Sequence, residues 1–344
     1  MGGVRSWRDE WRVHHLTAEY RACSAPKKVR HFHLCCPSVW LKESYWTGSQ
    51  SDRTCEKDRV LTLSNVRPKM DLRSGSYNDV LERVERSLDV RFDRTTMVRK
   101  RRSIGLLSNK DTWVRVEVRS PEKITGQGWN GTETSSVLHG VARPKWRQSV
   151  SWNDPEQDLI WRADETDFIA DRPVKPGGIL TTDPDLSEEW WATLRLSLTA
   201  LSEHSTTRLA TPHTERITQA RIDLTISRVF GDKIDTTVDQ WTAAHADLNW
   251  ANLTAPACML LDWEDWGMAP RGLDAANLWV NSLAIPDLAS RVYREYREEL
   301  ESKSGKIMML FLCADIVGAP PSYSGPLHEP ALQAVGTLVK DLQF

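Results

Sequence analysis

Residues 112–119 carry the strictest alternation of apolar and polar positions in this 344-residue chain. Valines fill one face at every second position, and the opposite face carries Trp113, Arg115, Glu117 and Arg119. A period of two is typical of a β-strand with one buried side. Shorter apolar runs indicate further strands at 97–98, 104–107, 159–161 and 167–169. We therefore predict a small sheet that carries two arginines on its polar face.

Helical spacing of apolar residues dominates the second half of the chain and appears twice in the first half. An amphipathic helix is predicted at 76–88 and a shorter helix at 132–139. A loop rich in Pro and Gly follows at 173–184. Beyond this loop, the recurrence of apolar residues every three or four positions predicts helices at 185–201, 218–230, 273–283, 288–300, 306–317 and 330–342.

Composition and charge narrow the class of protein. With 40% hydrophobic residues the chain can bury a core, and its length suffices for two lobes of ordinary size. The formal net charge of −2 argues against a general nucleic-acid-binding protein. No apolar run approaches the roughly 18 residues that span a bilayer, and the N-terminal region is too charged for a signal peptide. The default expectation is a soluble cytoplasmic protein with no membrane or nucleic-acid partner.

Residues 1–70 differ from the rest of the chain in charge and in pattern. Residues 1–69 contain 13 Lys and Arg against 7 Asp and Glu, and they show no sustained periodicity. Zinc is suggested by His31, His33, Cys35 and Cys36, but these lack the paired Cys-x-x-Cys spacing of common structural sites. Without a secretory signal, the cysteines are expected to be reduced. We interpret 1–70 as a basic extension of uncertain order, either a weakly folded tail or a patch that contacts a partner.

Polar residues with a recognisable chemistry concentrate at 244–274. Asp247 comes first, Asn252 lies five residues further on, and an apolar run at 258–261 ends in Asp262. Two loops joined by a hairpin would bring these side chains to one mouth. Phosphoryl transfer needs a carboxylate that accepts the proton of the substrate hydroxyl, and hard oxygen ligands that hold Mg²⁺ on the phosphates. Asp247 suits the first task, and Asn252 and Asp262 suit the second. The structural alternative is a helix-capping Asp and a turn-forming Asn.

This stretch resembles the aminoglycoside phosphotransferase and choline kinase-like family. The signature of that family reads roughly His-Gly-Asp-Leu-His-x-x-Asn, an apolar strand, Asp-Trp-Glu, a Gly-rich turn and Asp-Leu-Ala. Here it stands as His245-Ala246-Asp247-Leu248-Asn249-Trp250-Ala251-Asn252, then Leu261-Asp262-Trp263-Glu264, Gly267 and Asp274-Ala275-Ala276. Ala246 replaces the usual Gly, and Asn249 replaces the usual His, but neither change removes a group that the chemistry requires. A looser likeness extends from about residue 95 to the C-terminus.

The resemblance implies a bilobal, protein-kinase-like α+β fold. Residues 71–172 would form an N-lobe with a small β-sheet that covers the nucleotide. Residues 173–344 would form a mainly helical C-lobe that contains the catalytic and metal loops.

The resemblance also implies roles for single residues of the C-lobe. It makes Asp247 the catalytic base, Asn252 and Asp262 the magnesium ligands, and Asp274 and His245 structural supports of the catalytic loop.

The phosphates of the nucleotide are expected to meet an arginine of the N-lobe. In kinases a basic residue on the third strand contacts the phosphates and pairs with a helix Glu. The candidates are Arg119 and Arg115, with Glu133 as the partner, and the spacing from Arg119 to Glu133 resembles that of the family better. An exposed strand face with solvated charges is the alternative. The glycines at Gly126-Gln127-Gly128 lie in a loop without the strand-to-helix context of a phosphate cradle, so no glycine-rich phosphate loop is predicted.

These observations predict an ATP- or GTP-dependent enzyme that transfers the γ-phosphate to a hydroxyl of a small molecule, with Mg²⁺ as cofactor. The alternative is a non-catalytic kinase-like module that binds nucleotide and acts through a partner. The absence of a Val-Ala-Ile-Lys motif favours this alternative, whereas the intact Asp247 weighs against it. The sequence leaves the acceptor open. Trp250 and Trp263 flank the carboxylates, and we interpret them as large core residues, with stacking on a sugar or a cation as the alternative.

Overall fold

The computed structural model of the protein describes residues 71–124, 127–177, 179–212 and 215–343. The predictions for residues 1–70, including the zinc hypothesis, lie outside the described residues.

The first lobe is built on a five-stranded antiparallel sheet. Helix α1 (Asn78–Leu88) precedes strands β1 (Phe92–Arg99), β2 (Ser103–Ser108), β3 (Thr112–Arg119), β4 (Trp146–Asp154) and β5 (Leu159–Asp167). In space the strands follow the order β1-β2-β3-β5-β4. The valines of β3 are buried in one hydrophobic cluster with the apolar stripe of α1, as the alternation predicts. Every residue of β4 is exposed or only partly buried, which explains why its sequence gives no strand signal.

The segment between β3 and β4 is less helical than predicted. In place of a helix over 132–139, the chain forms α2 (Gly131–Thr134) with 3₁₀ turns at Gln127–Asn130 and Ser135–Val137. The helical course stops because Leu138 adopts an extended conformation and buries its side chain in the core of the second lobe. A short, irregular connection therefore replaces the predicted helix.

The second lobe is mainly helical. Its helices are α3 (Glu188–Ser202), α4 (Gln219–Phe230), α5 (Leu273–Val280), α6 (Pro286–Glu295), α7 (Arg297–Glu301), α8 (Lys303–Val317), α9 (Pro321–Ser324) and α10 (His328–Leu342). Two short antiparallel pairs complete it: β6 (Arg172–Pro173) with β8 (Thr254–Ala255), and β7 (Trp241–Ala244) with β9 (Gly267–Pro270).

Local signals explain where several of these helices begin and end. The hydroxyl groups of Ser187 and Thr218 accept backbone N–H bonds in the first turns of α3 and α4. Gly231 ends α4 at a φ of 79°. The helix predicted over 288–300 is divided between α6 and α7, because Tyr296 leaves helical geometry and buries its ring.

Each lobe has its own hydrophobic cluster, one between the sheet and α1 and the other among the helices. The predicted α+β class, with a small sheet lobe and a mainly helical lobe, is confirmed. Over the described part of the chain, no single helix is long and apolar enough to cross a membrane. One bent pair, Lys303–Val317 with Pro321–Leu342, meets that test by length and composition alone.

Candidate active site

The loop that contains Asp247 is held from behind by a carboxylate of α5. Strand β7 leads directly into this loop, where Ala246 has a φ of 71°, a left-handed conformation that strains a residue with a side chain. The carboxylate of Asp274 accepts the backbone N–H of His245 at 2.7 Å and that of Ala246 at 2.8 Å. These two buried bonds stabilise the strained backbone immediately before Asp247.

His245 joins this loop to the second loop of the site. Its Nε2 atom lies 2.7 Å from the carbonyl oxygen of Leu261, and its ring packs edge-on against Trp263 at a centroid distance of 4.7 Å. Burial lowers the pKa of His245, so its imidazole is neutral and donates from Nε2. The histidine therefore connects the two loops within the core and does not face the cleft.

Two asparagines position the carboxylate of Asp247. Asn252 donates from Nδ2 to the backbone oxygen of Asp247 at 2.7 Å and to its Oδ2 at 3.1 Å. Asn249 donates from Nδ2 to the same backbone oxygen at 3.1 Å and to Oδ1 at 3.3 Å. Its own Oδ1 accepts the N–H of Ala251 at 2.9 Å. Asn249 thus orders the loop at the place where the family signature has a histidine.

Asp262 lies next to the loop of Asp247 because its own loop is hydrogen-bonded to that loop. The backbone N–H of Leu261 donates to the oxygen of Asn252 at 2.8 Å, and Asp262 follows with a φ of 63° and a side chain that is 39% exposed. The strand predicted at 258–261 is not formed. In the described part of the chain, one isolated bridge joins Leu253 to Leu260, and the N–H of Leu260 bonds to the segment before β4.

The surroundings of Asp247 bring the pKa of its carboxyl group close to neutral pH. Burial raises its pKa to about 7, and the negative charges of Asp262 and Asp265 act in the same direction. The side-chain amides of Asn252 and Asn249 donate hydrogen bonds to Asp247, and these bonds oppose the rise in its pKa. A general base works best when its pKa is close to the operating pH, and Asp247 meets that condition.

Two arginines of β3 face this loop from the first lobe. Arg115 pairs with Glu264, and its Nη1 atom lies 3.3 Å from Oδ1 of Asp262. Arg119 pairs with Glu117 and donates from Nη2 to Oε2 of Glu264 at 3.1 Å. The side chain of Arg115 is 34% exposed, whereas that of Arg119 is only 5% exposed. Both arginines reach the loop of Asp262 and Glu264, but only Arg115 has a partly exposed side chain.

Glu133 lies apart from these arginines. Its carboxylate accepts a bond from Nη2 of Arg162 on β5 at 3.0 Å, and Arg162 also binds Asp164. The ion pair predicted between Arg119 and Glu133 is not formed. Arg119 is instead drawn across the cleft to Glu264, and the shortened helix α2 leaves Glu133 beside the neighbouring strand.

The donor atoms at Asn252 and Asp262 suit a hard divalent cation. Because Nδ2 of Asn252 is bonded to Asp247, its Oδ1 is the atom that a metal ion would use, beside the partly exposed carboxylate of Asp262. Within the described ranges, no group of three or more His, Cys, Asp and Glu side chains could hold a metal. A magnesium ion here would therefore need phosphate or water oxygens to complete its shell.

Several features of the site have no clear sequence signal. Asp265 is held by the hydroxyl of Thr211 at 2.9 Å, and Glu264 joins both β3 arginines. Glu264 belongs to the Asp262-Trp263-Glu264 motif, but the motif does not indicate its arginine partners, and Asp265 is marked only by its position beside that motif. Trp250 and Trp263 are each 3% exposed, so both are core residues and neither ring can stack on a substrate.

No protein-family model and no curated protein matches the sequence. Among solved structures, the chain is similar to the aminoglycoside phosphotransferase APH(4)-Ia, with 11% identity over 77% of this chain and 99% of that one, and a TM-score of 0.47. APH(2″)-IIa, solved with gentamicin, matches with 11% identity over 78% and 97%, and a TM-score of 0.47. Amicoumacin kinase hAmiN, solved with AMP-PNP, Ca²⁺ and Ami, matches with 12% identity over 76% and 96%, and a TM-score of 0.44.

Proposed function

We propose that this protein is a phosphotransferase that moves the γ-phosphate of ATP or GTP to a hydroxyl group of a small molecule. One observation carries the proposal. The carboxylate of Asp247 is fixed at 3.1 Å from the amide of Asn252, beside the exposed Asp262 and opposite the arginines of β3. This arrangement supports the proposal because it provides a candidate base, two hard oxygen ligands and a cation for phosphate at one site.

The reaction that this arrangement supports is a single in-line displacement. Asp247 orients the acceptor hydroxyl and takes its proton, while the hydroxyl oxygen forms a bond to the γ-phosphorus. The bond from that phosphorus to the β–γ bridging oxygen breaks, and the nucleoside diphosphate leaves with its electron pair. Bound magnesium would neutralise charge on the phosphates, and Asn252 and Asp262 are the residues that would hold it.

The exposure of the two arginines supports different tasks for them. Arg115 is the better candidate for the phosphate contact, because its guanidinium is partly exposed and already lies beside Asp262. Arg119 is buried between Glu117 and Glu264 and is better suited to fixing the sheet against the second lobe. This reverses the order of preference that the Arg119-to-Glu133 spacing gives.

A screen of hydroxyl-bearing small molecules tests the proposal, with release of ADP or GDP as the readout. The comparison is between the wild type, Asp247→Asn and Asp341→Asn, the last being a surface carboxylate paired with Lys306. Loss of the general base should lower kcat by at least about 100-fold. Asp341→Asn should retain the wild-type rate, and Asp247→Asn should still bind nucleotide.

Two outcomes would contradict the proposal. Equal turnover by Asp247→Asn with the true acceptor would remove the base from the mechanism. Nucleotide binding by the wild type without transfer to any acceptor would favour the alternative of a non-catalytic module.

A further inference from the structure

Both β3 arginines contact Glu117 on their own strand and, from the second lobe, Glu264. The Oε1 atom of Glu264 pairs with Nη2 of Arg115, and its Oε2 atom accepts a bond from Nη2 of Arg119 at 3.1 Å. The arginines belong to the sheet lobe and the glutamate to the loop after Asp262, so these bonds join the two lobes across the cleft. The Glu264 side chain is only 18% exposed, which strengthens charge-assisted bonds of this kind.

The short helix α2 provides no carboxylate that contacts the β3 arginines. Glu133, which is the acidic residue of that helix, pairs with Arg162 on β5. Glu117 binds Arg119 from the same strand, and therefore cannot fix the strand relative to the second lobe. Among the residues that the structure describes, Glu264 is the carboxylate that reaches Arg119 from the other lobe.

The backbone of Glu264 is itself fixed by several contacts. Its carbonyl oxygen accepts a bond from Nη2 of Arg208 at 3.4 Å. A side chain added at Gly131 would place its Cβ 2.3 Å from the same oxygen, so the α2 segment lies directly on this loop. The indole of Trp266 donates to the oxygen of Gly131 at 3.0 Å and seals the contact. These contacts therefore hold the backbone of Glu264 in place.

We propose that Glu264 is a positioning residue that holds Arg119 in place and aims Arg115 at the phosphates of the nucleotide. The inference rests on the proposed function, and it assigns to the loop after Asp262 the task that the resemblance would give to a helix glutamate. In the free protein Glu264, Asp262 and Glu117 all contact Arg115. On nucleotide binding, phosphate oxygens replace Asp262 as the partner of Arg115, and Glu264 keeps its guanidinium oriented.

Two substitutions distinguish the effect of the negative charge of Glu264 from the effect of its side-chain length. Glu264→Gln removes the negative charge and leaves two guanidinium groups undercompensated. We expect kcat to fall between about tenfold and 100-fold through loss of orientation. Binding of metal-free ATP should at the same time tighten by about fivefold, because the local charge becomes more positive. Glu264→Asp keeps the charge but is one methylene shorter, so kcat should fall while metal-free ATP binds as in the wild type.

Calorimetric titration of ATP in the presence of EDTA measures the affinity, and steady-state transfer in Mg²⁺ measures kcat. Glu298→Gln is the matched control, since Glu298 pairs with Arg271 at the surface and its side chain is 84% exposed. This control should equal the wild type in both measurements. A purely structural role for Glu264 predicts loss of both affinity and turnover, and that result would overturn the inference.

The same measurements distinguish failure of the role of Glu264 from failure of the proposed function. A wild type that transfers phosphate, with Glu264→Gln unchanged in both measurements, overturns the inference and leaves the function standing. A wild type without transfer, whose Glu264→Gln variant nevertheless binds metal-free ATP more tightly, refutes the function and supports the role of Glu264 in holding the arginines. Absence of nucleotide binding in every variant overturns both.

Discussion

The Oδ1 atom of Asp274 accepts the backbone N–H of Ala246 at 2.8 Å, across 28 residues of sequence. Removal of this carboxylate in Asp274→Ala leaves two buried N–H groups without an acceptor, those of Ala246 and His245. We expect a loss of about 1–3 kcal/mol for each, and a lower kcat because Asp247 is displaced. Thermal or urea unfolding together with transfer kinetics would measure both effects.

The strain at Ala246 provides a control for the effect of Asp274→Ala. Glycine accommodates a φ of 71° readily, so Ala246→Gly alone should change stability little. In the double variant, Ala246→Gly should recover part of the stability lost through Asp274→Ala. Strictly additive losses would show that Asp274 does not act through the conformation of Ala246.

Arg115 and Arg119 should respond to substitution in opposite ways. Arg119→Ala leaves the partly buried carboxylates of Glu117 and Glu264 with one cation fewer, so the free energy of unfolding should fall by about 2 kcal/mol or more. Arg115→Ala removes a partly exposed guanidinium that contacts Glu264, Glu117 and Asp262, so the free energy of unfolding should fall by less than in Arg119→Ala. The KM of Arg115→Ala for ATP should rise by about tenfold. The reverse pattern would assign the phosphate contact to Arg119.

Gly131 is expected to tolerate no side chain. In Gly131→Ala the new Cβ would meet backbone oxygens of Glu264 at 2.3 Å and of Trp263 at 2.4 Å, which a flexible side chain cannot relieve. We expect destabilisation of about 1–3 kcal/mol and reduced transfer, since the loop must shift. Gly336→Ala is the matched control on α10, because nothing lies within 4 Å of its added Cβ. It should stabilise the protein by about 0.5–1 kcal/mol. Equal melting temperatures for the two variants would contradict the close contact.

Because the pKa of Asp247 is raised in the folded protein, ionisation of its carboxyl group should destabilise the folded state. The pKa lies at about 7 in the folded protein against an ordinary value of 3.8, so between these values the folded state binds a proton that the unfolded chain has released. Stability contributed by Asp247 therefore decreases as pH rises through this window and stays low above it. Asn mimics the neutral form, so Asp247→Asn should melt at a higher temperature than the wild type at about pH 8 and not at about pH 4.

Thermal unfolding of the metal-free protein in EDTA at several pH values measures this difference. The surface substitution Asp341→Asn serves as the control, and it should not gain stability as pH rises. A constant difference between Asp247→Asn and the wild type at all pH values would contradict the burial-driven shift.

Much of the fold follows from periodicity that the sequence displays directly. The alternation at 112–119 and the helical stripes of α3 and α4 arise because one face of each element must be buried. Strand β4 and the break between α6 and α7 could not be predicted. The first lacks a buried face, and the second depends on the packing of Tyr296.

By itself, the sequence determined the set of residue types that the proposed chemistry requires, because the spacing of Asp247, Asn252 and Asp262 is a property of two adjacent loops. Only the tertiary structure decided which charges meet across the cleft. Glu264 lies 145 residues after Arg119 along the chain, and its pairing with Arg119 and Arg115 depends on how the two lobes dock. Burial also lies beyond local sequence: it closed Trp250 and Trp263 off from any substrate and raised the pKa of Asp247 to about 7. Long-range contacts and desolvation are set by the assembled fold, whereas periodicity and motif spacing are written along the chain.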